Sequence, residues 1–259
     1  MYFVDLHTHT KFSDGQPDYK EVINRAKEIG LKCVAITDHF DPYDPKDEVR
    51  NISEKDLIEF LKNAKSYGYS ISQPVLCGIE TCTDFNGNIR VSDKVFNTCD
   101  LIITSGHYVE YEGEIKKGEY FNDFYWESYK EKIINMGSGQ GDIIGHPEGY
   151  LPIESMIIPN TTTYEQRKEI CKLISERYFD ENFINQLTKA LIKNDKAYEL
   201  HCATETPRIS IIQSLMKKNV RLSVGTDAHV LQMVGRVNWA LDILKKNNYK
   251  NLFDYLKLI

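Results

Sequence analysis

Residues 5–9 read DLHTH and residues 225–229 read GTDAH, and the pair decides the fold. Each closes a short apolar run, Phe3, Val4 and Leu6 in the first case and Leu222 and Val224 in the second. Within each motif two ligand-competent side chains stand two residues apart, His7 with His9 and Asp227 with His229. On an extended strand that spacing puts both on one face. Two such strand ends, one at each extremity of the chain, can share a site only if the first and last strands meet. A closed barrel achieves this and an open sheet does not.

Between them, apolar strand runs alternate with helical patterns. CVAIT, PVLCGI, DLIITS, DIIG and AYEL are five further strand segments, and RLSVGT, the run that leads into the second motif, makes the seventh strand. The helical stretches carry their own punctuation. PDYKEVINRAKEIG carries Val22, Ile23, Ala26 and Ile29 on one face and stops at Gly30. Ser53 caps SEKDLIEFLKNAKSYG, a third helix runs from Asn122 to Gly137, and a long helical stretch over 163–194 breaks near Asp180. Seven strands, nearly all followed by helices, imply a parallel sheet. The expected fold is α/β, a distorted (β/α)7 TIM-like barrel, with residues 1–259 as a single domain and the site at the C-terminal ends of the strands.

Composition narrows the class. Hydrophobic residues make up 41% and charged residues 27% of the 259, enough for a large core. No apolar run approaches the roughly 18 residues of a bilayer span. The chain enters a strand directly after Met1 without a basic leader, so a cytoplasmic location is expected. The six cysteines form no CxxC pair and are expected to be free thiols, with Cys202 the one near the site. A net charge of −6 and the lack of a basic, aromatic-rich tract argue against a polynucleotide partner.

All seven histidines fall in strand-end motifs. Besides His7, His9 and His229 these are His39 in TDH, His107 in SGH, His146 in GHPE and His201 in ELHC. Glu80 follows an apolar strand in CGIE, and Asp14 lies in SDG. Asp-Gly alone reads as a turn; beside HTHT, Asp14 becomes a candidate ligand. Asp5 is expected to share the face of His7 and hydrogen-bond a ligand imidazole from behind. Asp38 either ligates or orients His39. Imidazoles mixed with carboxylates, without cysteine, suit Zn²⁺, Mn²⁺ or Fe²⁺.

The ordered motifs DLHTHTKFSDG, ITDHF, GIE, SGH, GHPE and GTDAH resemble the PHP (polymerase and histidinol phosphatase) family over roughly residues 3–229. The resemblance implies a distorted seven-stranded barrel holding three divalent metal ions. His7, His9, Glu80 and Asp227 would surround the first. Glu80, His107 and His146 would hold the second, with Glu80 bridging, and Asp14, His39 and His229 the third. Three such ions bring about +6 against −3 from Asp14, Glu80 and Asp227, so the loaded site carries about +3 and would attract a phosphate dianion. The implied reaction is hydrolysis of a phosphate monoester by a metal-activated hydroxide. Glu80, Asp227 and His201 are the catalytic candidates.

The stand-alone histidinol-phosphatase branch is the nearest resemblance, which makes L-histidinol phosphate or a similar small phosphorylated metabolite the expected substrate. Arg208 and Arg236 are the candidate phosphate contacts, since the guanidinium fork fits phosphate oxygens. Two departures stand out. PEGYLP after His146 lacks an arginine, and ELHC places His201 where an asparagine is usual. His201 is therefore a substrate contact, a proton donor to the leaving group or a hydrogen-bonded pocket residue. A PHP phosphodiesterase acting on oligonucleotides or nucleoside bisphosphates, an amidohydrolase-type hydrolase and a non-catalytic metal-binding module are the competing readings.

Overall fold

The computed structural model describes residues 2–44 and 52–258. Seven strands form one parallel sheet in chain order: β1 Val4–Asp5, β2 Cys33–Ile36, β3 Val75–Thr81, β4 Leu101–Ser105, β5 Ile143–Gly145, β6 Ala197–His201 and β7 Arg221–Gly225. Helices α1 (Tyr19–Glu28), α2 (Glu54–Ser70), α3 (Asp93–Phe96) and α4 (Asp123–Ser138) fill the first four connections. Helices α5 (Tyr164–Tyr178), α6 (Glu181–Lys193), α7 (Ile209–Lys217) and α8 (Asn238–Lys246) follow the later strands.

The expected Ser53 cap is present, its side chain accepting from the Asp56 amide. The helix expected from Asn122 is capped by that residue, and the break expected near Asp180 arises because Asp180 caps α6 through the Phe183 amide. The four-residue α3, too short to show a periodicity, was not anticipated.

The barrel closes, though not by a regular ladder. Leu6 N donates to Val224 O at 2.9 Å, Asp227 N to His7 O at 2.8 Å and His9 N to Ala228 O at 3.0 Å. The first and last strands thus meet beyond the end of β1, at the level of the two motifs that predicted their meeting. Val4, Leu6, Ala35, Leu76, Ile103 and Ala197 fill the lower interior. Two larger apolar clusters lie between sheet and helices, one of them centred on Trp126, Tyr129 and Leu187 of α4 and α6. Above the apolar layer the interior turns polar, and the site begins there.

Candidate metal centre

Glu80 stands at the centre of the site. It ends β3, and its side chain is fully buried. Its two oxygens face two sets of imidazoles. Oε1 lies 3.1 Å from His107 Nε2 and 2.7 Å from His146 Nε2. Oε2 lies 3.3 Å from His7 Nε2, 3.4 Å from His9 Nε2 and 3.1 Å from His39 Nδ1. Asp227 Oδ1 approaches His9 Nε2 at 2.9 Å and His7 Nε2 at 3.6 Å.

Three ligand groups result: His7, His9, Glu80 and Asp227; His39, Glu80 and His107; and His9, Asp14, His39 and His229. These groups take in eight of the nine expected ligands; His146, expected beside His107 in the second, stands outside them and reaches the cluster through Glu80 Oε1, while His39 takes its place. The first group has the expected membership. In the other two, His39 spans the gap, with Nδ1 toward Glu80 and Nε2 3.7 Å from Asp14 Oδ2, while His229 Nε2 lies 3.1 Å from the same oxygen. The deep residues His7, His9 and Glu80 are 0% exposed, whereas Asp14 and His229 are 36% and 35% exposed, so the mouth lies on the Asp14 side.

The donor set fits metal. His7 Nε2, His9 Nε2, Glu80 Oε2 and Asp227 Oδ1 are all buried, all aimed at one point, and none has an aligned hydrogen-bond partner. Four orphaned polar atoms in one spot would be costly in a finished core, where buried polar groups are paired. A divalent ion satisfies all four. Two ligands also sit on left-handed backbone, His146 at φ 28° and Asp227 at φ 53°, which costs free energy and concentrates at functional sites.

Without metal the charges compensate one another. Burial opposes a charge on His7, but Glu199, Glu80 and Asp227 outweigh it and hold its pKa well above the usual imidazole value. Burial likewise opposes ionisation of Glu80 and Asp227, yet the surrounding imidazoles, His7 first, hold both carboxyls well below the usual range. His229 is raised to about 9, burial being overcome by the Asp14 hydrogen bond and by Asp227.

Several expectations need correction. Asp5 does not reach an imidazole. Its carboxylate accepts from Thr226 N, Thr226 Oγ1 and Gly235 N. The ladder of β1 ends at Asp5, so the two-residue alternation that would align it with His7 does not continue past Leu6. Its expected role belongs to Glu199 on β6, whose Oε1 lies 2.8 Å from His7 Nδ1 while Oε2 accepts the His146 amide at 2.8 Å. Asp38 is an orienting residue. It accepts from Thr10 N, Thr10 Oγ1 and Ser13 Oγ and so shapes the loop that carries His9 and Asp14.

Neither predicted arginine faces the metal groups. The Arg208 guanidinium pairs with buried Glu148 and donates to the Phe179 carbonyl at 2.7 Å. Arg236 lines a shallow cavity with Phe3, Arg25, Glu28 and Ile29. Those residues lie just before β1 and at the C-terminal end of α1, the opposite end of the barrel from the ligands. His201 is fully buried, with one ring nitrogen at Asp227 and the other at Thr204, so neither is left for a substrate. Cys202 turns its thiol toward the Leu200 carbonyl, away from the ligand groups.

Two further residues border the site. Tyr150 lays its ring edge-on to His146 and His201, with centroids 5.5 and 5.1 Å away. Arg90 binds Asp41 and Tyr108, which neighbour His39 and His107 in the chain, and its buried Nε has no partner. Only its place in the loop after Glu80 hinted at this.

Among the described residues no helix is long and apolar enough to cross a membrane. A probable phosphatase of Thermoanaerobacter sp. (strain X514) is 27% identical over 248 residues, covering 93% of this chain and 85% of the relative. A probable phosphatase of Clostridium botulinum (strain Langeland) is 27% identical over 273 residues, covering 99% and 95%. The fold superposes on histidinol phosphate phosphatase from Lactococcus lactis, crystallised with zinc, L-histidinol and phosphate. The TM-score is 0.67 at 17% identity, covering 97% of this chain and 95% of that one, a likeness of fold. The PHP domain pattern matches residues 5–201, most of the barrel and all but two of the nine ligands, and the chain belongs to the PHP domain family.

Proposed function

We propose that the protein is a metal-dependent phosphatase that hydrolyses a small phosphate monoester, L-histidinol phosphate or a metabolite like it. The observation that carries this is the set of orphaned polar atoms around Glu80, beside the solvent-exposed Asp14 and His229. The relatives named probable phosphatases support the reaction class. The Lactococcus fold neighbour supports the substrate type.

Three divalent ions, zinc, manganese or iron, would activate a water as nucleophile and neutralise phosphate charge. The protein's residues do the holding. His7, His9, Glu80 and Asp227 form the closed inner group, and His39, Asp14 and His229 the outer one. Glu80 serves two groups at once, one oxygen to each. Glu199 fixes His7 with Nδ1 as donor, which frees Nε2 as a ligand. Tyr150 stands beside His146, and the Arg90–Tyr108 pair beside Asp41, at the border of the site.

The test is a three-substrate panel on protein stripped by a chelator and reloaded with each metal in turn. p-Nitrophenyl phosphate and histidinol phosphate are expected to be hydrolysed only by reloaded protein, and bis-p-nitrophenyl phosphate poorly. Full activity in the stripped protein refutes the metal mechanism. Preference for the bis ester moves the reading to a phosphodiesterase.

A further inference from the structure

The three ligand groups leave out two histidines, His146, which still reaches Glu80 Oε1, and His201, which is wholly enclosed and touches neither oxygen of Glu80. Its Nε2 lies 3.2 Å from Asp227 Oδ2, the oxygen opposite the one aimed at His7 and His9. A carboxylate that ligates a cation is ionised and can only accept hydrogen bonds, so His201 Nε2 must carry a proton. Nδ1 lies 2.6 Å from Thr204 Oγ1, and Thr204 Oγ1 lies 2.9 Å from Thr206 Oγ1. A ring that carries its single proton on Nε2 accepts at Nδ1. Thr204 then donates to the ring and Thr206 donates to Thr204. All the donors point one way, toward Asp227.

The surroundings hold this chain in place. His201 N donates to Thr206 O at 2.9 Å and Thr206 N to His201 O at 3.1 Å, so the loop is pinned back on the strand end. Gly149 packs against it so closely that a Cβ there would stand 2.6 Å from Thr204 Oγ1. Beyond the hydroxyl pair lies a cavity of about 520 Å³, lined by Thr204, Thr206, Glu148 and Arg208. Thr206 can therefore reach water, while His201 cannot.

We infer that His201 is a positioning residue for the inner metal ion: it engages Asp227 Oδ2 so that Oδ1 alone faces the ion, and the Thr204–Thr206 hydroxyl pair fixes the tautomer that does so. The role depends on shape and donor direction. It rests on the metal-centre reading given above.

The experiment compares metal-free wild type with H201A, H201Q, T204V and T204S. Zn²⁺ affinity is read by competition with a chromophoric chelator, site geometry from the visible spectrum of bound Co²⁺, and folding from melts of the metal-free proteins. Removing an outer partner of a metal ligand costs about 10- to 100-fold in affinity. H201A is expected to fall in that range with an altered Co²⁺ spectrum. H201Q, which can place an amide N–H where Nε2 stood, should recover most of the loss. T204V should weaken binding less than H201A does, and T204S should match wild type. T204V removes no volume from the core, so it decides the matter if H201A does not fold. Wild-type Zn²⁺ affinity and Co²⁺ spectrum in both H201A and T204V overturn the inference, even if H201A is inactive. Wild type that takes up neither ion overturns the metal-centre reading instead.

Discussion

Replacing Glu199 by Gln changes one heavy atom of the site and almost no volume, and the hydrogen bonds say what must follow. The carboxylate accepts twice, from His7 Nδ1 at 2.8 Å and from the His146 amide at 2.8 Å, and it is buried. A carboxamide can accept only once at those two places. If its oxygen stays on His7, its NH2 meets the His146 N–H and a buried donor is orphaned. If the amide turns over, its NH2 meets His7 Nδ1 and drives the ring to the tautomer with the proton on Nε2, the atom aimed at the ion. An unsatisfied buried donor costs about 1–3 kcal/mol. In a chain of this size that lowers the melting temperature by roughly 2–4 °C per kcal/mol. The tautomer change acts on metal affinity, where a loss of about 10- to 100-fold is expected, or about 1.4–2.8 kcal/mol. The assays are a melt of the metal-free variant and a Zn²⁺ competition titration. A Glu199→Gln protein that matches wild type in both would show that Glu199 does not orient His7.

Three further outcomes are expected. Metal-free protein should lose stability as pH rises from about 6.5 to about 9. His229 is raised to about 9, so its contribution is complete below its unfolded value and disappears as the folded group deprotonates. Zn²⁺ affinity should climb over the same interval, because the ion displaces protons from His229 and His7, and a melt or titration series across pH checks both signs. Arg208→Ala strands the Glu148 carboxylate, which is 2% exposed, and should cost roughly 3 kcal/mol in a denaturant titration, with KM for p-nitrophenyl phosphate little changed. A raised KM at unaltered stability would return Arg208 to substrate binding. Gly225→Ala puts a Cβ 2.3 Å from Glu199 Oε1 and 2.5 Å from His7 Cβ, an overpacking expected to cost about 1–3 kcal/mol and to weaken Zn²⁺ binding; unchanged affinity would mean that the β6–β7 contact does not hold Glu199 in place.

The clustering of the candidate ligands was legible because a barrel strand presents its chemistry where its apolar run stops, and a strand end is a local pattern. His7, His107, His146 and Asp227 can each be picked out from a few neighbours. The Ser53 cap on α2 was legible for the same reason. What escaped notice depends on contacts between distant parts of the chain. Glu199 supports His7 across 192 positions, and nothing around either residue announces the other. Arg208 looked like a phosphate contact because it follows His201 by seven residues, but its geometry is set by Glu148, 60 positions earlier. Asp5 failed differently. Strand periodicity was extended through a segment in which the ladder had already ended.

That distinction bears on how such a site is held. Apart from Glu80, which is within the β3 ladder, its candidate ligands lie on loops just past the strand ends, where regular backbone pairing no longer fixes them. Buried charge at these positions is tolerated only when paired, and in the metal-free state the pairing is among the ligands themselves, with His7 set between Glu199, Glu80 and Asp227. An incoming ion must break those pairs and displace their protons, so a preformed site binds metal less tightly than its donor count suggests. The residues that ligate nothing offset this cost: Glu199 behind His7, His201 behind Asp227 and Asp38 behind the His9–Asp14 loop. Each leaves one atom of its partner free and facing inward. The sequence around ligands can therefore resemble a family closely while these supporting residues differ, and the support decides how readily the same nine ligands take up metal.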